Sequence, residues 1–194
     1  HFVVDAVREM LRGSRAYWTW LGILAALFAF GVLNYFGQLR DGLVVTGMSD
    51  QVSWGFYIAN FAFLVGIAAA AVLLVIPAYI FHRKDVKAVV LLGEGMAVAA
   101  VIMAMLFVIV DIGRPDRAWH VIAFIGRFNF PSSLLAWDIV VLNGYLALNL
   151  LIPTYVHFSH YRGREPNLKL YFPVVVLAMF WAISIHTVTA FLFS

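Results

Sequence analysis

The chain contains five apolar segments, each long enough to cross a lipid bilayer as an α-helix. A spanning helix needs about 20 mostly apolar residues. The predicted spans are residues 17–37, 54–81, 88–110, 134–158 and 170–194. None of them alternates apolar and polar residues as a spanning strand would. The sequence therefore predicts an all-α, polytopic transmembrane helix bundle over residues 17–194, preceded by a cytoplasmic or interfacial N-terminal arm over residues 1–16.

The composition excludes several classes of protein. Hydrophobic residues make up 64% of the chain and charged residues 12%, whereas a soluble domain has about 25% charged residues. The net charge of +3 is too small for a phosphate-binding surface, so a nucleic-acid partner is not expected. The chain has no Cys. It therefore cannot form a disulfide framework, a Cys-ligated zinc site or an iron–sulfur cluster by itself.

The distribution of Lys and Arg predicts the orientation of the spans. Nine of the 13 Lys and Arg residues lie in the N-terminal arm and in the second and fourth connections, and the other four lie in the first and third. Positive residues accumulate on the cytoplasmic side. The N-terminus is therefore predicted in the cytoplasm. The connections 38–53 and 111–133 are then predicted on the outer side, which is the periplasm if the organism is bacterial.

Polar side chains occur at a common predicted depth. At a rise of ~1.5 Å per residue, every span carries polar groups near its outer end: Asn34, Tyr35, Tyr57, Asn60, Asp111, Asp138, Asn143 and His186. Asp138 lies ~6 Å inside the span. This shared depth indicates one site near the outer face. The alternative is a separate interhelical hydrogen bond for each residue, which we expect for a single Asn, Ser or Thr. For Asp138 and His186 we expect a function, because ionisable groups at such depth are costly.

Glu94 does not follow this pattern, because it lies ~9 Å inside the predicted cytoplasmic end of the third span. Gly93 and Gly95 flank it and allow a neighbouring backbone to approach closely. One interpretation is a proton-conducting path from the cytoplasm. The other is an ion pair with Lys87 or Arg83.

Among redox ligands, a quinone fits these residues better than haem. Haem b needs two axial ligands at similar depth, and of six His only His186 lies well inside a span. A haem between His82 and His157 would be shallow. A quinone needs an aromatic wall, hydrogen-bond partners for two ring oxygens and a base that accepts protons. The residues that supply these groups at the outer depth are Trp54, Tyr57, Asn60, Asp138 and His186. No metal-binding motif occurs.

Several motifs resemble those of one family of membrane subunits. They are the stretches 38–43, 45–50 and 54–58, the sequence Asp111-Ile112-Gly113-Arg114-Pro115-Asp116-Arg117, and the stretches 129–133, 137–138, 142–145 and 184–191. Together they resemble the NrfD/PsrC-like (polysulfide reductase-type) membrane subunits. The stretches from residue 129 onward are similar to the DsrP/HmcC-like branch, which belongs to respiratory complexes of sulfur metabolism.

The resemblance implies menaquinone or another quinone near the outer face, and no haem or metal bound by this chain. It implies a periplasmic [4Fe-4S] ferredoxin-like partner, with other membrane and cytochrome subunits, in the cytoplasmic (inner) membrane. Family members have eight to ten helices, so this chain would be the N-terminal part. The positions that match family site residues are His186, Asp138, Tyr57, Asn60 and Asp111, with Arg114 as an organiser of its loop and Glu94 on a cytoplasmic proton path.

The sequence therefore predicts a quinone-binding subunit of a respiratory electron-transfer complex. It would exchange electrons between menaquinol and the iron–sulfur partner. Two other functions remain open. One is a structural membrane anchor that has no quinone chemistry, and the other is a proton-translocating module in which Glu94 matters more than His186.

Overall fold

A computed structural model describes residues 2–52, 55–75, 87–122 and 125–192. The α-helices are α1 (Phe2–Met10), α2 (Arg15–Asp41), α3 (Phe56–Val75), α4 (Lys87–Asp111), α5 (Leu134–Tyr161) and α6 (Leu168–Leu192), and short 3-10 helices cover Leu43–Thr46 and Pro115–Val121. Among the described residues the β-structure consists of one isolated bridge between Ser49 and Val52. The predicted all-α class is confirmed.

Four of these helices are long and apolar enough to cross a membrane: α2, α4 from Leu92 onward, α5, and α6 from Lys169 onward. The predicted span 54–81 contains α3, whose apolar segment Phe56–Ala71 is shorter. Residues 53–54 and 76–86 lie outside the described part of the chain. The helices extend past several predicted ends. For example, α2 runs from Arg15 to Asp41 where the hydrophobic pattern predicted 17–37, because polar residues at helix ends still complete the last turns.

The chain divides into two compact units, residues 1–53 and 54–194. In the first unit, side-chain contacts stabilise the short turn between α1 and α2. The Ser14 side chain caps α2 by accepting a hydrogen bond from the Tyr17 N–H at 3.2 Å. The Tyr17 hydroxyl donates to the Met10 carbonyl at 3.1 Å. The Tyr17 ring also lies where a Cβ on residue 13 would be, so Gly13 is needed there. The interfacial position of residues 1–16 stays a prediction.

In the second unit, the four helices α3 to α6 form a closed bundle. Helix α3 packs on α4 and α6, and α5 packs on α4 and α6, so each helix has two neighbours. Successive helices run in opposite directions. Consequently α3 and α5 begin, and α4 and α6 end, at the end of the bundle that the sequence predicts to be outer. We call this the outer end.

Small residues and two interhelical hydrogen bonds hold the bundle together. Ala68, Ala100 and Ala104 are buried at the centre, where their size lets backbones approach closely. The Tyr145 hydroxyl of α5 donates to the Ala68 carbonyl of α3 at 2.8 Å. The Trp181 indole N–H of α6 donates to the Val141 carbonyl of α5 at 2.8 Å. These contacts fix the relative heights of α3, α5 and α6.

Gly144→Ala tests the contact between α5 and α6. A Cβ at residue 144 would overlap the Trp181 ring. The ring would have to move and would lose its bond to Val141. We therefore expect a loss of about 1–3 kcal/mol in stability, measured as a lower Tm of the detergent-solubilised protein.

Gly95→Ala is the matched control, because a Cβ at residue 95 meets nothing within 4 Å. Ala also has a higher helix propensity than Gly, so this variant should keep or raise the Tm. Equal Tm values for the two variants would contradict the packing described here.

Candidate functional site

A seven-residue repeat defines the inner face of α4. Residues spaced alternately by four and three are almost completely buried: Val90, Glu94, Ala97, Val101 and Ala104. This spacing keeps successive side chains on one side of a helix. Extended by one more repeat, it reaches Asp111, the last residue of α4, which is half-buried. Asp111 Oδ1 is buried and has no hydrogen-bond partner among the described residues. The face thus carries a carboxylate near each end, separated by ~25 Å.

The inner face of α5 begins with Asp138. The same spacing continues through Val141, Tyr145, Leu148 and Ile152, all of which are buried. Asp138 itself is only 2% exposed. Neither of its carboxylate oxygens has a hydrogen-bond partner in the described part of the chain. An unpartnered polar group in an apolar interior is costly, so Asp138 is the most unusual side chain of the bundle.

The inner face of α6 ends in Thr189, which the sequence analysis did not select. The buried positions 171, 175, 178, 182, 185 and 189 form its repeat. Thr189 is 6% exposed, and its hydroxyl has no partner among the described residues. His186 lies ~60° around the helix from Thr189 and is exposed. The repeat through residues 175, 182 and 189 was the sequence signal that distinguishes the two positions.

His186 instead lines an open pocket on the flank of α6, together with Thr187, Ala190 and Phe191. The structure therefore does not bring His186 to the inner face that holds Asp138. The predicted site divides into an interior part and this pocket.

On α3, Tyr57 lies one turn before the buried Phe61 and is half-buried. Its ring centroid is 6.2 Å from that of Phe107 on α4, so the two rings form an aromatic wall at the outer end. Asn60 is half-buried, and its side-chain amide donates to the Phe56 carbonyl of its own helix at 2.8 Å. The predicted site residue Trp54 lies outside the described residues.

Each helix of the bundle thus brings one polar side chain to the inner face at the outer end. These are Tyr57, Asp111, Asp138 and Thr189, and we call them the outer polar layer. Each lies within ~6 Å of its helix end along the axis. Two of the four helices begin at this end and two end there, so the four positions lie near the same end of the bundle. The layer offers carboxylate acceptors and hydroxyl groups, which suit a ligand that donates and accepts hydrogen bonds.

Two further polar side chains that the sequence analysis placed near this depth, Asn34 and Asn143, hydrogen-bond within their own helices. Asn34, Asn143, Ser184 and Thr187 each donate to the backbone carbonyl four residues earlier. At these described residues, bonds within one helix therefore take the place of the interhelical hydrogen bonds that the sequence analysis expected for single polar residues. This local bonding is common for short polar side chains in apolar helices.

Glu94 lies in the other half of the bundle and is 4% exposed. It is within electrostatic range of Tyr145 and Tyr171. Among the described residues no Lys or Arg forms an ion pair with it. The sequence analysis considered an ion pair of Glu94 with Lys87 or Arg83. Arg83 and the side chain of Lys87 lie outside the part of the chain that the structure describes.

Arg114 is held in the loop after α4. Its Nε and one terminal nitrogen donate to the two carboxylate oxygens of Asp116, each at 3.0 Å. These hydrogen bonds lower the pKa of Asp116 and raise that of Arg114. Both side chains are exposed. The pair therefore fixes the geometry of the loop, and the role of Arg114 at a ligand stays a prediction.

The described residues contain no group of three or more His, Asp or Glu side chains placed to hold a metal ion. Over residues 44–194 the chain matches the family described as "Polysulphide reductase, NrfD". The chain belongs to the NrfD family. The predicted family is confirmed, and the branch within it stays a prediction. As a member with several long apolar helices, the chain is an integral membrane protein.

Three relatives are membrane or complex subunits. The chain is 31% identical to a putative dimethyl sulfoxide reductase membrane subunit of Halobacterium salinarum, over 90% of this chain and 43% of that protein. It is 28% identical to a selenate reductase subunit of Mesobacillus selenatarsenatis, over 75% and 32%. It is 28% identical to the Hdr-like menaquinol oxidoreductase integral membrane subunit of Archaeoglobus fulgidus, over 93% and 42%. The chain spans less than half the length of each relative.

Proposed function

We propose that this NrfD-family chain binds menaquinone as a membrane subunit of a respiratory electron-transfer complex. In this proposal, electrons are exchanged with a periplasmic [4Fe-4S] ferredoxin-like subunit. The complex also contains further membrane and cytochrome subunits and lies in the inner membrane. The name of the Archaeoglobus fulgidus relative, a menaquinol oxidoreductase subunit, supports the choice of quinone. The excess of Lys and Arg in the arm and the two connections supports an N-terminus in the cytoplasm.

One observation carries the proposal: Asp138 is 2% exposed and both its oxygens lack a hydrogen-bond partner among the described residues. A group in that state suits a ligand that brings its own donor. The rest of the outer polar layer fits the same ligand. Tyr57 and Phe107 offer an aromatic wall, and the neighbouring Phe61 and Ile185 are apolar and buried.

When bound as quinol, the ligand supplies two protons and two electrons, and the electrons pass to the iron–sulfur subunit. Asp138 accepts the two protons of the ring hydroxyls one after the other through its carboxylate, and each leaves before the next is taken up. Tyr57 and Asn60 orient the ring oxygens, and Asp111 at the end of α4 leads the proton to the outer surface. Of the two proton acceptors that the sequence indicated, the proposal takes Asp138 and not His186, because His186 lies on the exposed flank of α6.

Asp138→Asn tests this role. Asn keeps the side-chain volume but does not accept a proton at neutral pH. General-base catalysis contributes about 10²–10⁴-fold to a rate, so menadiol oxidation by the purified complex should fall at least about 100-fold. Asp50→Asn makes the same substitution at an exposed carboxylate and should keep the wild-type rate.

Two other results would count against the assignment. A loss of rate in His186→Gln but not in Asp138→Asn would move proton acceptance to the pocket on the flank of α6. Wild-type rates in both variants, with the complex assembled, would favour a structural anchor without quinone chemistry.

A second function, proton translocation, is favoured by Glu94. This carboxylate is 4% exposed in the half of the bundle opposite Asp138, and the Tyr145 and Tyr171 rings are its electrostatic neighbours. A buried ionisable group inside a membrane bundle is a common component of proton relays. In this proposal, Glu94 takes up a proton from the cytoplasmic side.

Glu94→Gln separates translocation from quinol chemistry. In proteoliposomes, we expect menadiol oxidation to continue while acidification of the lumen, followed with a pH-sensitive dye, falls to the level that proton release from menadiol alone supplies. Glu165→Gln, at an exposed site after α5, should retain both. An unchanged pH signal in Glu94→Gln would eliminate this second function.

A further inference from the structure

Two threonines near the end of α6 differ in the hydrogen bonding of their hydroxyl groups. Thr187 is exposed, and its hydroxyl donates to the Ile183 carbonyl at 2.9 Å. Ser184 bonds to the carbonyl four residues earlier in the same way. Thr189 is buried, where the need for such a bond is greater, yet its hydroxyl has no partner among the described residues. The Thr189 hydroxyl therefore differs from the hydroxyls of Ser184 and Thr187, because it is buried and lacks even this local hydrogen bond.

The inner faces of α6 and α5 carry this hydroxyl and Asp138 near the same end of the bundle. Helices α5 and α6 pack directly, and the Trp181–Val141 hydrogen bond fixes their relative height. Side chains tilt toward the N-terminus of their own helix. Because the two helices run in opposite directions, Asp138 tilts toward the outer end and Thr189 tilts away from it. The two unsatisfied groups therefore tilt toward each other along the bundle axis.

We infer that Thr189 is a positioning residue that binds a ring oxygen of the quinone together with Asp138. This inference rests on the proposed function. A hydroxyl both donates and accepts a hydrogen bond, whereas a carboxylate only accepts. Thr189 therefore donates to the carbonyl of the oxidised ring and accepts from the hydroxyl of the reduced ring. It holds the ring in both redox states, whereas Asp138 interacts well only with the reduced one.

Thr189→Val is the decisive variant, because Val has nearly the same shape and lacks the hydroxyl. Removing one hydrogen bond to a ligand corresponds to a loss of about tenfold in affinity. We expect the Kd of menadione for the purified complex, measured by calorimetry, to rise about tenfold. Thr189→Ser keeps the hydroxyl and should restore most of the affinity. Thr187→Val, two residues away, should leave the Kd unchanged.

Thermal unfolding of the quinone-depleted complex gives a readout that does not depend on activity. An unsatisfied hydroxyl contributes nothing favourable to the fold, so replacing it with a methyl group should leave the Tm equal or higher. If Thr189 had a structural partner, the same substitution would lower the Tm. A lower Tm with an unchanged Kd would therefore overturn the inference.

The same titrations separate failure of this inference from failure of the proposed function. If Asp138→Asn weakens the binding of menadiol and Thr189→Val changes neither ligand's Kd, the role of Thr189 is wrong and the quinone site stands. If neither variant changes either Kd, the inference and the interior quinone site both fail.

Discussion

A carboxylate inside an apolar helix bundle needs hydrogen-bond donors, because the bundle offers neither water nor lipid groups that replace them. The architecture of this chain depends on how that need is met. Most of its short polar side chains meet it locally, by bonding to their own helix. Asp138 does not, and it is almost fully buried. The interior of the bundle around Asp138 is therefore suited to a hydrogen-bonding ligand.

The packing of the bundle determines which side chains share that interior. Seven-residue repeats on α4, α5 and α6 place small and apolar residues along the seam, and they place a polar residue on each at the outer end. Bonds such as the one from Tyr145 to the Ala68 carbonyl, at 2.8 Å, hold the helices at fixed relative heights. The outer polar layer follows from this register. A change in register would move Asp138 or Thr189 toward lipid.

The sequence predicts how far along a helix a residue lies better than it predicts which side of the helix the residue occupies. Depth follows from counting residues along an apolar segment, because the rise per residue is constant. The sequence accordingly predicted the helical class, most of the long apolar helices, and the placement of Asp138, Asp111 and Tyr57 near one end of the bundle. The side of the helix on which a residue lies depends on the rotation of the helix about its axis. On α6, a separation of only three residues distinguishes the buried Thr189 from the exposed His186. Residue type alone favours the rare ionisable His186, although the repeat through Ile185 indicates Thr189.

The bonding of single residues was also beyond the sequence. Asn60 and Asn143 have the residue type and depth of ligand contacts, but each amide already donates one hydrogen bond to its own helix, which leaves Asn60 only its second N–H and its carbonyl oxygen for a ring oxygen. Only the folded structure reveals that choice, since each side chain has both options at similar cost. The surroundings of Glu94 could not be predicted from the sequence either, because its neighbours Tyr145 on α5 and Tyr171 on α6 come from distant parts of the chain.

A cryo-EM map of the complete complex with menaquinone bound tests the central claim most directly. The quantity of interest is the distance from a ring oxygen to the Asp138 carboxylate and to the Thr189 hydroxyl. The account predicts that the ring lies within hydrogen-bonding distance, about 3 Å, of both side chains. A map in which protein atoms satisfy both side chains, with the ring bound elsewhere, would contradict it.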